Sequence, residues 1–256
     1  MPGLQQFEYV ERFHLLFLAQ LGLKLDKSRH ALKGGCNLRF FFKSIRYSED
    51  MDLDVQNIPT DELRGRVAGI LKSAPFLHSL AAHGISIEHV TESKQTGTTQ
   101  RWKFGLLTPL SAAPAPTKIE FSRRLAFSDA VLENVDPPLV RSLGLAPILA
   151  CHYPAGAAWR QKVQALATRS AAQARDIFDL HLLMSSGAVE PARENATLAD
   201  DLLKAAGERC LAMRFEDFKG QVLSYLAPKH QPAYDDRGLW DHMVLSVTEA
   251  LCGGRP

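Results

Sequence analysis

The sequence predicts an α+β fold: a mixed sheet with flanking helices over residues 1–155, followed by a helical part over residues 156–256. Three observations carry this. Segments that alternate apolar and polar residues with period two recur in the first part, as in Met51-Leu53-Val55, Trp102-Phe104-Leu106 and Ile119-Phe121. Between them lie stretches with apolar residues at helical spacing. Beyond Tyr153 only the helical spacing remains.

In order along the chain, Phe7, Val10, Phe13, Leu16 and Phe17 place an amphipathic helix over about residues 5–21. A short strand, His30–Lys33, leads into a Gly34-Gly35 turn and a helix over Asn37–Lys43. A strand covers the Asp50–Val55 stretch. Thr60 then reads as the N-cap of a helix running to about Ser73, where Pro75 stops it. Gly84–Val90 and Gln100–Leu107 read as strands joined by the turn SKQTGTTQ, and Ser111–Thr117 as a Pro/Ala-rich connector. Thr117–Arg123 and Pro147–His152 are strands, with Asp136-Pro137-Pro138 marking a boundary between them. Residues 160–184 form two helices. Further helices over 198–211, 215–226 and 239–251 are separated by Pro228 and Pro232, and the final GGRP reads as a frayed tail. The stripe Phe215, Phe218, Val222, Tyr225 reads as core.

Composition narrows the class. In 256 residues, 46% apolar and 23% charged, the balance is that of an ordinary soluble globular protein. A formal net charge of +2 encodes no overall pull toward nucleic acid or membrane. Cys36, Cys151, Cys210 and Cys252 show no CxxC spacing, which argues against structural zinc and fits reduced thiols. No signal peptide and no membrane-spanning run is visible, so a cytoplasmic location is expected.

The chemistry concentrates between Leu32 and Val55. On a strand, residues two apart share a face, so Asp50, Asp52 and Asp54 project together while Met51, Leu53 and Val55 point into the core. Carboxylates crowded on one face repel unless a cation sits among them, and oxygen-only ligands suit a hard ion such as Mg²⁺ or Mn²⁺. Asp54 is either part of this set or simply solvent-facing. Gly34 and Gly35 suit close approach of the backbone to a phosphate, although a Gly-Gly pair alone is usually just a turn. Arg39, Lys43 and Arg46 make the region locally basic, either as a solvated helix face or as phosphate or RNA contacts. Glu120 stands on the polar face of the Thr117–Arg123 strand. Arg123 and Arg124 follow it, either as charged edge residues or as contacts to triphosphate or RNA.

The wording LKGGCNLR followed by RYSEDMDLDV resembles the AbiEii/AbiGii-type nucleotidyltransferase toxins of the DNA polymerase β-like nucleotidyltransferase superfamily. Residues 160–184 resemble that family's second block through Lys162, Arg169, Arg175, Asp176, Asp179 and Leu180. Gln161 stands where the family usually has an acid. The resemblance implies a polymerase β-like core whose helical C-terminal part completes the active-site cleft. It implies that Asp50 and Asp52 are catalytic metal ligands, with Glu120 as the third. Gly34, Gly35, Arg46, Ser48 and Lys162 would contact the nucleotide, and Asp176 would be required for activity, orienting Lys162. From residue types alone, Arg175 and Asp179 are equally a surface helix pair, and His181 is a core or surface histidine. The implied activity is metal-dependent transfer of NMP from an NTP to an acceptor hydroxyl. RNA, through a tRNA 3′ end, is the favoured acceptor, and the implied role is the toxin of a toxin–antitoxin or phage-defence system with a cognate antitoxin. Two alternatives stay open: the same chemistry on a protein or small-molecule hydroxyl, and a catalytically inactive partner-binding module.

Overall fold

A computed structural model describes residues 6–124 and 129–253. The chain divides into two compact units, one comprising residues 1–43 and 47–153, the other residues 44–46 and 154–256.

The first unit is built on a seven-stranded sheet. In chain order its elements are α1 (Gln6–Lys24), β1 (His30–Lys33), α2 (Gly34–Phe41), β2 (Asp50–Val55), α3 (Thr60–Leu71), α4 (Ala74–Ala82), β3 (Ser86–Gln95), β4 (Thr99–Thr108), β5 (Ser111–Arg123), β6 (Val131–Asn134), α5 (Pro137–Ser142) and β7 (Leu149–His152). The strand order is β3-β4-β5-β2-β1-β7-β6. β2 runs parallel to β5 and β1 parallel to β7, and the other pairs are antiparallel.

Met51, Leu53 and Val55 are fully buried, as their alternation requires. α1 is more enclosed than an amphipathic surface helix. Phe13 and Phe17 pack against Phe76, and Phe13 lies 5.0 Å from Phe104. Its buried polar residues are partnered: Glu11 by Arg39, and His14 by Thr117 Oγ1 at 2.8 Å.

Several local expectations are corrected. The glycine pair is the first turn of α2 rather than a turn ahead of it, and Asn37 lies buried inside the helix, donating to Tyr153 O at 2.8 Å. Pro59 rather than Thr60 is the N-cap of α3. Pro75 does not only end a helix; it sits in the first turn of α4, where its missing N–H costs nothing. Asp136-Pro137 likewise starts a helix, with the Asp136 carboxylate accepting from Leu139 N at 3.2 Å. Ser111–Thr117 is not a connector but the first half of β5. Pairing with β2 begins only at Lys118, so Pro114 and Pro116 border an open side of the strand, where a missing donor is tolerated.

The second unit is helical: α6 (Ala155–Thr168), α7 (Ala174–Ser185), α8 (Pro191–Asn195), α9 (Asp200–Leu211), α10 (Phe215–Gln221), α11 (Gln231–Tyr234) and α12 (Arg237–Cys252). α10 stops at Gln221 and is followed by a 3₁₀ turn over Leu223–Tyr225, so the helix expected through 226 is broken. Phe218 stacks on Trp240 with ring centres 4.7 Å apart, and Trp159, Val163, Ile177 and Leu180 fill the interior. Trp159 Nε1 donates to Asn195 Oδ1 at 2.9 Å, and Asn195 Nδ2 donates to Ala250 O. The tail expected after Gly253 lies outside the described residues.

Candidate active site

The carboxylate face of the first unit is set by strand register. Asp52 on β2 is paired with Glu120 on β5, and Asp50 with Lys118. In-register neighbours on adjacent strands share a face about 5 Å apart. Lys118 Nζ lies 2.9 Å from Asp50 Oδ2, and Arg101 Nε, across from Glu120 on β4, lies 2.5 Å from Glu120 Oε2. Burial pushes the Asp52 carboxyl up from its ordinary pKa. Lys118 and Lys33 oppose that shift, while Asp50 and Glu120 add to it. Three half-buried carboxylates that repel one another are a chemically suitable donor set for a hard divalent ion. Among the described residues no three His, Cys, Asp or Glu side chains converge into a finished cage. The basic side chains of Lys118 and Arg101 hold two of the oxygens instead.

Gly34 closes this face. Its φ is +68°, a left-handed conformation, and a Cβ there would stand 3.2 Å from Asp52 Oδ2. The first turn of α2, with its unshared N–H groups and the positive end of the helix dipole, therefore begins beside Asp52. Ser48 stands two residues before the strand begins. Its hydroxyl donates to Asp50 O at 2.9 Å, and Cys36 Sγ also approaches that carbonyl, at 3.2 Å.

Asp54 is not a solvent-facing carboxylate. It is only 2% exposed, and Lys33 Nζ (2.5 Å), Tyr153 Oη (2.7 Å) and Arg124 Nε (3.3 Å) donate to it. The basic residues flanking these motifs are also committed internally. Arg39 binds Glu11 and lies over the Tyr47 ring, and Arg123 donates to Gln100 Oε1 at 2.6 Å.

The second unit holds a buried charge cluster. Lys162 on α6 lies between two fully buried aspartates of α7, 2.9 Å from Asp176 Oδ1 and 2.6 Å from Asp179 Oδ2. Arg169 completes Asp176 at 3.0 Å, and Arg46 reaches Asp179 at 3.2 Å. Burial alone would raise the Asp179 pKa, but Arg46 and Lys162 outweigh it and hold the carboxyl below the ordinary range. Asp179 is thus an interior partner of Lys162, not the surface partner of Arg175. Lys118 and Arg101, and the pairing of Asp179 with Lys162 and Arg46, escape a sequence reading because register and helix packing, not spacing, bring these groups together. The one available signal was Lys118 standing two residues before Glu120, on the same strand face.

A carboxylate pair on one strand, a third carboxylate in register beside it and a glycine-led helix against them make up the candidate site, and similar folds are known. The chain matches JHP933 from Helicobacter pylori with a TM-score of 0.61 at 18% identity, covering 98% of this chain and 93% of that one. It matches MenT4, a nucleotidyltransferase toxin from Mycobacterium tuberculosis, with a TM-score of 0.57 at 16% identity, covering 99% and 100%. The chain belongs to the AbiEii nucleotidyl transferase toxin family of type IV toxin–antitoxin systems, whose family model matches residues 16–248. Comparison with curated protein sequences gives no significant match. Membership implies an NTP substrate, a divalent metal and an antitoxin partner. No helix among the described residues is long and apolar enough to cross a membrane.

Proposed function

We propose that the protein transfers NMP from an NTP to the 3′ end of an RNA, with tRNA as the favoured acceptor, using Mg²⁺ or Mn²⁺ held by Asp50, Asp52 and Glu120. The observation that carries this is the in-register pairing of Asp52 with Glu120 beside Gly34. A divalent ion bound there supplies charge stabilisation to the triphosphate and lowers the pKa of the acceptor hydroxyl. The first-turn N–H groups from Gly34 and Gly35 donate to phosphate oxygens, with the dipole of α2 behind them.

In the second unit, taken by itself, Lys162 is the cation that the family resemblance assigns to phosphate, and Asp176 and Asp179 fix the position of its ammonium. Arg46 acts one step back, by holding Asp179, and Ser48 acts by fixing the backbone at Asp50. The RNA acceptor rests on the family resemblance. The internal commitments of Arg39, Arg46 and Arg123 add nothing to it.

The test is incubation of the protein with each labelled NTP, Mg²⁺ and total RNA, followed by gel analysis, with lysate protein and small alcohols as parallel acceptors. Label should appear on RNA and vanish with Asp50→Ala/Asp52→Ala. Label on protein or alcohol alone would replace the acceptor, and transfer at wild-type rate by the double variant would overturn the site.

A further inference from the structure

The four central strands write charge onto one face as two rows. The first row reads Arg101, Glu120, Asp52, Lys33 across β4, β5, β2 and β1, and the second reads Lys103, Lys118, Asp50 across β4, β5 and β2. Every proposed metal carboxylate therefore has a basic neighbour on the adjacent strand. In the second row Lys118 has a like charge, Lys103, on one side and Asp50 on the other, which biases its ammonium toward Asp50. The contact is close, 2.9 Å, and both side chains remain about a third exposed, at 31% and 29%, so neither is locked in place.

We infer that Lys118 competes with the divalent ion for Asp50, so that tight metal binding requires the nucleotide whose phosphates take up the displaced ammonium. The inference rests on the metal reading above. A divalent cation on the Asp50–Asp52 face stands within a few ångströms of that ammonium, and two like charges at such a distance repel strongly in a half-buried site. Lys118 must then swing away, and a triphosphate offers it a new anionic partner. The metal and the NTP thus bind with positive coupling, set by one strand residue that is not itself a metal ligand.

The experiment is a Mn²⁺ titration of the full chain followed by electron paramagnetic resonance, with and without an α,β-methylene NTP analogue. Wild type should bind Mn²⁺ weakly alone and at least ~10-fold more tightly with the analogue, the order of an ordinary coupling between sites. Lys118→Met should bind Mn²⁺ alone about three- to fivefold more tightly, the scale of a partly exposed ion pair, and should lose most of the enhancement by the analogue. Lys118→Arg keeps the competing charge and should resemble wild type. Lys118→Met binding Mn²⁺ no more tightly, while Asp50→Asn abolishes binding, would overturn the competition and leave the metal site standing. Mn²⁺ binding indifferent to Asp50→Asn would overturn both.

Discussion

Tyr153 Oη donates to Asp54 Oδ2 at 2.7 Å, and this bond separates Asp54 from the two aspartates that precede it on the same strand. With Lys33 on its other oxygen, Asp54 is a structural anion. Asp54→Ala should cost about 2–3 kcal/mol in urea unfolding, because two buried donors lose their acceptor. Asp54→Asn should retain Mn²⁺ binding within about twofold, the size of a surface-scale electrostatic change. A folded Asp54→Asn chain without metal affinity would put Asp54 among the ligands.

Gly34 should be intolerant for two reasons that can be separated. Gly34→Ala forces a Cβ into a left-handed conformation, costing about 1–2 kcal/mol, and sets it 3.2 Å from Asp52 Oδ2. Gly144, with φ +69° and nothing within 4 Å of where a Cβ would stand, carries the strain alone when changed to alanine. Gly34→Ala should lose at least as much stability as Gly144→Ala, and only Gly34→Ala should lose transfer activity. Equal activity in the two would remove the phosphate role from Gly34.

The Lys162 cluster makes unequal predictions for its members. Asp179→Ala removes the buried carboxylate that Arg46 and Lys162 share, leaving Lys162 on Asp176 alone, and should cost about 3–5 kcal/mol. Lys162→Met leaves Asp176 on Arg169 and Asp179 on Arg46, so each aspartate keeps a cation. That variant should fold, and its KM for NTP should rise by ~10-fold or more, the loss of a charge-assisted phosphate contact. An unchanged KM would confine Lys162 to a structural role.

Stability should fall in acid in two stages. Burial pushes His14 down to about 3 and His30 down to about 4, so both stay neutral when folded, while the unfolded chain takes up protons below about 6.5. Stability contributed by their neutrality is complete above pH 6.5 and declines below it, by about 2 kcal/mol per histidine between pH 6.5 and 5. Asp179 works in a lower window: its folded pKa is depressed, so its contribution is present above the ordinary carboxylate range and is lost as pH drops through and below it. Urea midpoints at pH 7.5, 5.5 and 4.0 test this, and His14→Phe should flatten the first stage.

The parts of this fold legible in the sequence are those governed by local periodicity. The β1 and β2 segments show in His30–Lys33 and in the alternation through Val55 because one face of each must be apolar. What was hidden depends on partners. Pro114 and Pro116 look like a connector until it is known that β2 does not reach them, and Pro75 and Pro137 are stops or starts depending on which side the helix lies. The carboxylates Asp50 and Asp52 stand out by type and spacing, and Glu120 only through the family resemblance and its order along the chain. Lys118 and Arg101 do not, because a lysine or arginine in a strand is commonplace until register sets it against an acid.

The parallel pairing of Asp52 with Glu120 joins positions roughly seventy residues apart. No local segment can make that pair: the intervening helices and the β3–β4 hairpin must be accommodated before the two strands meet, with a loop-closure cost that only the completed sheet repays. A nascent chain on the ribosome therefore carries Asp50 and Asp52 for some time without their neighbour. Only when synthesis has passed β5 does the chain hold both members of that pair.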